Sequence, residues 1–349
     1  MLLNWHHVAR PAAVMGLLAT AALTGAAPAA AGSADEPAGF TIQDPGIAES
    51  SGLAASQRHE NVYWTHNDSG YTPAVYAIDG ETGETLATIT LQGVEGRDME
   101  AISVGPRGDL YVGDIGDNFG GQWPEVWIYR LPEPENLADA TIAPTVYRVQ
   151  YEDGPRDAEA LMIHPVTGRA YIVDKKEDRS ATLYAGPEEL TVSGVNTFTP
   201  VAEIDQWVTD GAFSPDGTRL ILRGYFTCRM YRWSDADGGT PDRIARRVSM
   251  PLQRQGESVT FTPDGRALMF GSEGVNSVVE PSVLQGDLLP ESVQREDERA
   301  EREAEEGGRG GSAAGEDGEG LSRGTFTTLA AGILLILAVR HLVTRGRKG

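Results

Sequence analysis

Between residues 40 and 285, hydrophobic and polar positions alternate in short runs that are separated by turn residues. Five segments share one pattern: an acidic residue, a short apolar alternation, usually a Pro-x-Gly or Pro-x-x-Gly turn, and a second apolar run. Short alternating runs bounded by Gly and Pro predict β-strands. The acidic residues that open the segments are 51, 59, 51 and 47 residues apart and are Glu49, Glu100, Glu159, Asp210 and Glu257.

A repeat of about 50 residues with several short strands is typical of a β-propeller, in which each repeat forms a four-stranded blade. The second repeat shows four apolar runs, at residues 101–104, 110–114, 126–131 and 145–151. The last repeat shows only three, at 258–262, 267–271 and 277–283. Residues 40–43 can supply the missing strand, which would remove two open sheet edges. The sequence therefore predicts an all-β propeller over residues 32–285, with five blades, or six if a long insert conceals a degenerate blade.

The two ends of the chain have the composition of membrane-targeting segments. Residues 1–31 combine Arg10, an apolar stretch and a run of alanines, as a cleaved secretory signal peptide does. Residues 324–344 can span a membrane if Arg340 reaches the interface, and the basic tail 345–349 follows them. We therefore predict a single-pass protein of the cell membrane, with an extracellular N-terminal domain and a cytoplasmic C-terminal tail. An uncleaved N-terminal anchor is the alternative for the first segment.

Residues 286–323 differ in composition from the repeats. They contain 12 acidic residues and 5 arginines, with Gly-rich runs such as GGRGG. A segment of this kind cannot bury enough apolar area to fold by itself, so we predict a disordered acidic stalk. A short charged helix over residues 291–306 is compatible with its role, which is to hold the propeller away from the membrane.

Charge narrows the functional classes. The chain has 51 acidic and 29 basic residues and a formal net charge of −22. Residues 32–285 alone hold 39 of the acidic and 19 of the basic residues. A protein that binds nucleic acid needs a basic surface for the phosphates, so we expect no nucleic-acid partner. The single cysteine, Cys228, cannot form an intramolecular disulfide, so a buried core must stabilise the fold.

The acids that recur at the blade period predict a cation site. In a propeller the first strand of each blade lines a central channel, so these acids would surround one channel mouth. Carboxylates this close raise one another's pKa unless a cation neutralises them. A hard cation with six to eight oxygen ligands, Ca²⁺ before Mg²⁺, would do so. The alternative is that the acids only cap turns and backbone groups. The candidate metal ligands are Glu49, Asp68, Asp98, Glu100, Asp114, Asp117, Asp157, Glu159, Asp174, Asp210 and Glu257.

Other polar residues near the ends of the second strands are candidates for ligand contacts. Lys175 and Arg223 could receive an anionic group such as phosphate or carboxylate. The chain has no Ser-His-Asp order with a G-x-S-x-G elbow, no Cys/His zinc spacing and no phosphate-binding Gly loop, which weakens the case for an enzyme. The predicted ligand-binding residues are His66, Asn67, Lys175, Arg223 and Glu273.

Several short motifs resemble those of a known group of propellers. ESSGL at 49–53, HNDSG at 66–70 and D-x-E-A-I/L at 98–102 and 157–161 are similar to motifs of secreted bacterial propellers of the phytase-like or esterase-like group and their NHL/TolB-like relatives. The resemblance implies a propeller, often six-bladed, with calcium in or near the channel, and some relatives hydrolyse phosphoesters or lactones. This chain departs from the group in showing five repeats. It also lacks the basic residues that a highly anionic substrate requires.

Two functions follow from these observations. The first is a membrane-anchored extracellular binding module that holds a divalent cation at the acidic channel mouth and contacts a small anionic ligand or another surface protein. The alternative is a calcium-dependent hydrolase of phosphoesters, lactones or esters. In that case Glu100 or Glu159 would act as the base, and His66 or Arg223 would stabilise developing charge.

Overall fold

β-strands are the main regular secondary structure of the described chain. The computed structural model describes residues 37–310. Its strands, in chain order, are β1 (Phe40–Thr41), β2 (Ser50–Ala55), β3 (Val62–Asn67), β4 (Ala74–Asp79), β5 (Thr85–Leu91), β6 (Met99–Val104), β7 (Asp109–Asp114), β8 (Val126–Pro132), β9 (Ala140–Ile142), β10 (Thr145–Tyr151), β11 (Ala158–Ile163), β12 (Ala170–Asp174), β13 (Ala181–Ala185), β14 (Val195–Ile204), β15 (Asp210–Phe213), β16 (Arg219–Arg223), β17 (Cys228–Ser234), β18 (Thr240–Arg243), β19 (Gly256–Phe261), β20 (Ala267–Ser272) and β21 (Val278–Val283). Two 3₁₀ turns (Ala236–Gly238 and Gly286–Leu288) and one helix, α1 (Glu291–Gly310), complete the described residues.

Twenty of the strands form five antiparallel units of four. Unit 1 contains β2 to β5, unit 2 contains β6, β7, β8 and β10, unit 3 contains β11 to β14, unit 4 contains β15 to β18, and unit 5 contains β19, β20, β21 and β1. The four runs expected in the second repeat correspond to the four strands of unit 2. β9 pairs in parallel with β5, and β10 pairs in parallel with β14, so neighbouring units are joined at their outer edges.

The N-terminal strand completes unit 5. Phe40 pairs with Val279 and Thr41 with Val278 in an antiparallel register. The ring of Phe40 also packs against Tyr63 of unit 1, with 5.4 Å between the ring centroids. The pairing expected for residues 40–43 is therefore observed, and it covers an edge of β21 that would otherwise be open.

The first strands of the five units contact one another in a closed ring. β2 contacts β6, β6 contacts β11, β11 contacts β15, β15 contacts β19, and β19 contacts β2. The buried apolar residues form five clusters, each between two neighbouring units, and one of these joins unit 5 to unit 1. The sheets therefore pack against each other around a central channel, which is the arrangement of a β-propeller-type fold.

The turns between the first and second strands define the end of the channel opposite the acids. In units 2 to 5 each of these turns contains a glycine with φ between +70° and +75°, a conformation that favours glycine because it has no Cβ. These glycines are Gly108, Gly168, Gly217 and Gly265. The Pro-x-Gly and Pro-x-x-Gly motifs of the sequence therefore mark one face of the propeller, and the acids that open each segment mark the other.

Helix α1 begins in contact with the Pro-x-Gly face. The backbone N–H of Ser292 donates to Asp216 Oδ2 at 2.9 Å, and Arg266 pairs with Asp297 at 2.8 Å. The first contact satisfies a donor that the first turn of a helix leaves without a partner. Residues 286–310 thus differ from the disordered stalk that composition predicted, because units 4 and 5 supply contacts that the segment lacks by itself.

The predicted signal peptide (1–31), membrane span (324–344) and basic tail (345–349) lie outside the described residues. Within residues 37–310, no helix has the length and apolar character that crossing a membrane requires.

Candidate functional site

Irregular strand pairing separates the acids of the five repeats into distinct groups. In β6, β11 and β19 the register shifts where Glu100, Glu159 and Glu257 occur. A β-bulge of this kind changes the direction of a side chain relative to its strand, which is a common feature near functional sites. The corresponding shift in β2 falls at Ser51 and Gly52, so unit 1 has no acid there. β15 pairs without a shift, and Asp210 has a different environment.

We call Glu100, Glu159 and Glu257 the bulge acids. They line a cavity of about 400 Å³ at one mouth of the channel. Five carboxylates and one lysine are among its lining residues, which are Asp68, Glu100, Asn118, Glu159, Lys175, Tyr225, Phe226, Gln255, Glu257 and Glu273. Six of these are predicted site residues: Asp68, Glu100, Glu159, Lys175, Glu257 and Glu273. Tyr225, Phe226 and Gln255 were not predictable, because an aromatic pair and a glutamine in loops carry no local chemical signal.

Three acidic side chains come close enough to share one ion. Ligand atoms of Asp68, Asp98 and Glu100 all lie within 4.8 Å of one another. Asn118 donates to Asp98 from its side-chain amide (3.0 Å) and from its backbone (3.2 Å), which holds that carboxylate in place. A Cβ on Gly116 would stand 2.7 Å from oxygens of both Asp98 and Glu100, so this glycine leaves room for the cluster. We call Asp68, Asp98 and Glu100 the acidic triad.

Burial and mutual repulsion make the ionised cluster unfavourable without a cation. Burial, with the charge of Asp68, raises the pKa of Asp98 to about 7. Burial and the charges of Glu159 and Asp68 raise the pKa of Glu100 well above its ordinary value. Burial and Glu273 raise the pKa of Glu257 to about 7. A bound cation would remove this cost, because it would favour the ionised form of each carboxyl group.

The one lysine of the cavity is already paired. Lys175 forms a salt bridge with Glu159, and this carboxylate raises the pKa of the ammonium group although burial opposes the shift. Lys175 is therefore a fixed cation at one side of the cavity. The acidic triad has no comparable cationic partner among the described residues.

Arg223 does not line the cavity, in contrast to the ligand-binding role expected for it. Its guanidinium donates to the backbone oxygens of Ser258 (2.6 Å) and Gly271 (2.7 Å) and to Gln253 (2.8 Å). The side chain is fully buried, and burial lowers its pKa to about 10. Arg223 thus joins units 4 and 5.

His66 and Asn67 also serve the fold and do not line the cavity. The ring of His66 is fully buried, with Nδ1 3.0 Å from the backbone oxygen of Asn67, and burial lowers its pKa. Asn67 donates to the backbone oxygen of Gly46 at 2.8 Å and accepts from the N–H of Glu49 at 3.0 Å. Asn67 therefore fixes the segment that leads into β2, whereas the hydrogen bond of His66 stays within β3.

Several acids that sequence analysis grouped as metal ligands bind backbone N–H groups instead. Asp114 accepts from Tyr129 Oη (2.6 Å) and the N–H of Asp98 (2.8 Å). Asp210 accepts from the N–H of Val259 in unit 5 (2.8 Å). These contacts match the alternative in which the acids cap backbone groups.

The remaining predicted ligands also lie outside the cavity lining. Asp117 organises its own loop by accepting from the N–H of Trp123 at 2.6 Å, and its N–H donates to Asp157 at 2.8 Å. Asp174 accepts from Arg156 at 3.2 Å. Glu49 lies near Glu273, whose pKa its charge helps to raise. The structure thus concentrates the candidate site on the acidic triad and the bulge acids.

Without divalent cations, stability should fall as the pH rises. Asp98 and Glu257 have pKa values of about 7 in the folded chain, against about 4 when unfolded. Between about pH 4 and about pH 7 the folded chain therefore binds more protons than the unfolded chain does. The stability that protonated Asp98 and Glu257 contribute is lost as the pH rises towards and through 7. In chelator, we expect the urea midpoint to decrease from about pH 5 to about pH 8. Glu257→Gln should flatten the decrease, and equal slopes for both proteins would contradict the prediction.

Comparison with known proteins assigns no family to this chain. No protein-family model and no curated protein matches it. Among solved structures, a mitotic checkpoint complex matches at 16% identity and a TM-score of 0.36, covering 67% of this chain and 61% of that chain, which is less than two thirds. A protein provisionally assigned as a 6-phosphogluconolactonase from Bacteroides uniformis matches at 16% identity and a TM-score of 0.39, covering 69% of each chain. Hydrazine synthase of Kuenenia stuttgartiensis matches at 12% identity and a TM-score of 0.39, covering 71% of this chain and 77% of that chain. Similarity at this level carries no argument about function.

Proposed function

We propose that this protein is a membrane-anchored, extracellular five-bladed β-propeller that binds Ca²⁺ at the acidic triad and uses that face as a binding module. The observation that carries the proposal is the triad itself: three carboxylates lie within 4.8 Å of one another, two of them are almost fully buried, and no cationic side chain of residues 37–310 forms a salt bridge with them. A binding site for a hard cation is the arrangement that stabilises such a cluster.

The donor chemistry favours Ca²⁺ over Mg²⁺. The triad supplies carboxylate oxygens, and Asn118 donates to Asp98 through its amide nitrogen, which leaves its amide oxygen for a cation. The cavity beside the triad, about 400 Å³, has room for water ligands. Ca²⁺ accepts six to eight oxygen ligands in irregular geometry, whereas Mg²⁺ demands a compact octahedron. Asp68, Asp98 and Asn118 lie in loops and Glu100 at the bulge of β6, an irregular set that suits the more tolerant ion.

The topology supports five blades. Five antiparallel units of four strands occur, their first strands form a ring, and the N-terminal strand completes the last unit. The join between units 2 and 3 is a parallel pair of outer strands and adds no further unit.

The position of α1 supports an orientation for the anchored protein. The helix begins on the Pro-x-Gly face, at Asp216, whereas the acidic triad lies at the other end of the first strands. If residues 324–344 span the membrane, the triad faces away from the cell surface. The proposed binding face would then be accessible to soluble partners and to proteins of other surfaces.

A binding module is better supported than a hydrolase. Glu100 and Glu159 do line the cavity, so a proton acceptor is present beside the proposed cation. Arg223 and His66, to which charge stabilisation was assigned, are buried among backbone groups. The anionic ligand expected from Lys175 and Arg223 is also less well supported, because Lys175 is paired with Glu159.

Calorimetric titration of the full-length chain in detergent tests the cation site. We expect one Ca²⁺ to bind per chain, at least about tenfold more tightly than Mg²⁺, and more tightly as the pH rises, because the ligands must lose protons. Glu152→Gln, which removes an exposed charge outside the cavity, serves as the control and should leave the titration unchanged. Absence of Ca²⁺ binding at millimolar concentration would contradict the proposal.

A further inference from the structure

Exposed apolar side chains cluster on the face that carries the acidic triad. The loop that follows the second strand presents one in four of the five units: Tyr71, Phe119, Phe226 and Val275. Phe226 is 83% exposed and Phe119 67% exposed. Leu252, in the connection that leads into β19, is 98% exposed. We call these five side chains the apolar rim.

Strand register shows that the rim and the triad share one face. The last residue of the second strand pairs with the start of the first strand in each unit, as Asp114 does with Met99 and Arg223 with Asp210. The loops that follow the second strands therefore emerge where the bulge acids lie. Phe226 itself lines the cavity together with Glu257 and Glu273. Large exposed apolar groups close together are typical of protein interaction sites, in which aromatic side chains are enriched.

A second hollow extends the cavity towards unit 3. It has a volume of about 240 Å³ and is lined in part by Trp207, Tyr225 and Phe226. The rings of Trp207 and Tyr225 meet edge to face, with 5.1 Å between centroids. Because Tyr225 and Phe226 line both spaces, a ligand can contact carboxylates and aromatic rings at once.

We propose that this face binds a segment of a partner protein in which a lysine or arginine side chain enters the acidic cavity while neighbouring apolar side chains pack on the apolar rim. This inference rests on the proposed function, since it names the partner of the same face. Charge complementarity identifies the occupant: five carboxylates line the cavity against one lysine. Asp98 of the acidic triad is a sixth carboxylate beside the cavity. One Ca²⁺ and Lys175 offset three of the six negative charges, and Glu257 and Glu273 supply two of the three that remain.

The size of the apolar rim favours a protein segment over a small amine. The rim residues lie in loops of units 1, 2, 4 and 5 and in the connection before β19, and of the five only Phe226 lines the cavity. A small cation in the cavity would therefore leave most of them exposed. Aromatic side chains around a desolvated charge are the residues that dominate binding energy in protein interfaces. A segment with a basic residue and apolar neighbours would contact both the acidic cavity and the apolar rim.

Peptide pools test this inference on the full-length chain in lipid nanodiscs. In one pool of heptapeptides a central lysine is flanked by apolar residues; matched pools carry Nε-acetyllysine or glutamate at the centre. We expect the lysine pool to be retained at least tenfold over either other pool. Phe226→Ser and the double variant Glu257→Gln with Glu273→Gln should each reduce retention about tenfold. Val192→Ala, which alters an exposed apolar residue outside the rim, should not.

Two measurements separate this inference from the cation site. Calorimetric Ca²⁺ titration of Leu252→Ser should match the unmodified chain, because this rim side chain is exposed and belongs neither to the cavity lining nor to the triad. Equal retention of the lysine and acetyllysine pools, or retention unaffected by Phe226→Ser, would overturn the inference even if Ca²⁺ binds. Selective retention of the lysine pool in a chain that binds no Ca²⁺ would support the inference and contradict the cation site alone.

Discussion

The effect of Asp68→Asn on stability should change sign with Ca²⁺: the variant should be less stable than the unmodified chain when Ca²⁺ is bound and more stable in chelator. With Ca²⁺ at about 100 times its Kd, the unmodified chain should gain about 2.7 kcal/mol, which corresponds to about 5–10 °C in the unfolding midpoint. The variant should lose most of this gain, because one of the three triad carboxylates becomes a neutral amide.

In chelator, the same variant should be the more stable protein. The charge of Asp68 raises the pKa of Asp98 and Glu100, so its removal relieves repulsion when no cation is bound. One pKa unit corresponds to about 1.4 kcal/mol, and we expect a gain of about 1 kcal/mol at about pH 8, where more of the carboxyl groups are ionised.

Thermal unfolding of the full-length chain in both conditions measures the reversal. The charge-matched control, Glu152→Gln, should behave like the unmodified chain with and without Ca²⁺. If Asp68→Asn keeps the full Ca²⁺-dependent shift, the triad does not hold the ion.

Arg223→Met should cost about 3–5 kcal/mol of stability, as the loss of one member of a buried polar network does. The substitution would leave the backbone oxygens of Ser258 and Gly271 without their donor. It would also remove a positive charge near Asp210 and Glu257. The local packing is tight, since a Cβ on Gly256 would stand 1.8 Å from the guanidinium of Arg223.

Urea unfolding compares this variant with Arg254→Met, which alters an exposed arginine that does not line the cavity. The control should stay within about 0.5 kcal/mol of the unmodified chain. A stable Arg223→Met protein with weakened ligand or Ca²⁺ binding would show instead that Arg223 acts at the site, as the sequence had suggested.

The repeat was predictable because its signals are local. Alternating apolar residues, Pro-x-Gly turns and a fixed acid recur at each unit, and each signal depends only on residues within a few positions. The closing strand was predictable by counting strands, and β1 does pair with β21. A short charged helix over residues 291–306 was compatible with the sequence, but its contacts with the propeller were not predictable, since they depend on Asp216 and Arg266, which are far from the helix in sequence.

The candidate site was predicted in part. Carboxylates on the same end of the first strands were expected, and six of the predicted residues do line one cavity. Which acids enter the cavity and which do not was not predictable, because a β-bulge changes how the repeats align. In the structure Glu49 corresponds to Asp98 and Asp157, and Ser51 corresponds to Glu100. The aromatic contribution from Tyr225 and Phe226 became visible only when unit 4 was placed beside unit 5.

By itself, then, the sequence determined that the chain forms repeated four-stranded units and that acids recur at one end of them. Only the tertiary structure decided which acids are chemically available. Glu100, Glu159 and Glu257 turn into the cavity at register shifts, whereas Asp114 and Asp210 are used to bind backbone and side-chain donors. The physical reason is that a carboxylate's direction and partners depend on strand register and on the adjoining unit. For Asp210 that partner is Val259, 49 residues away.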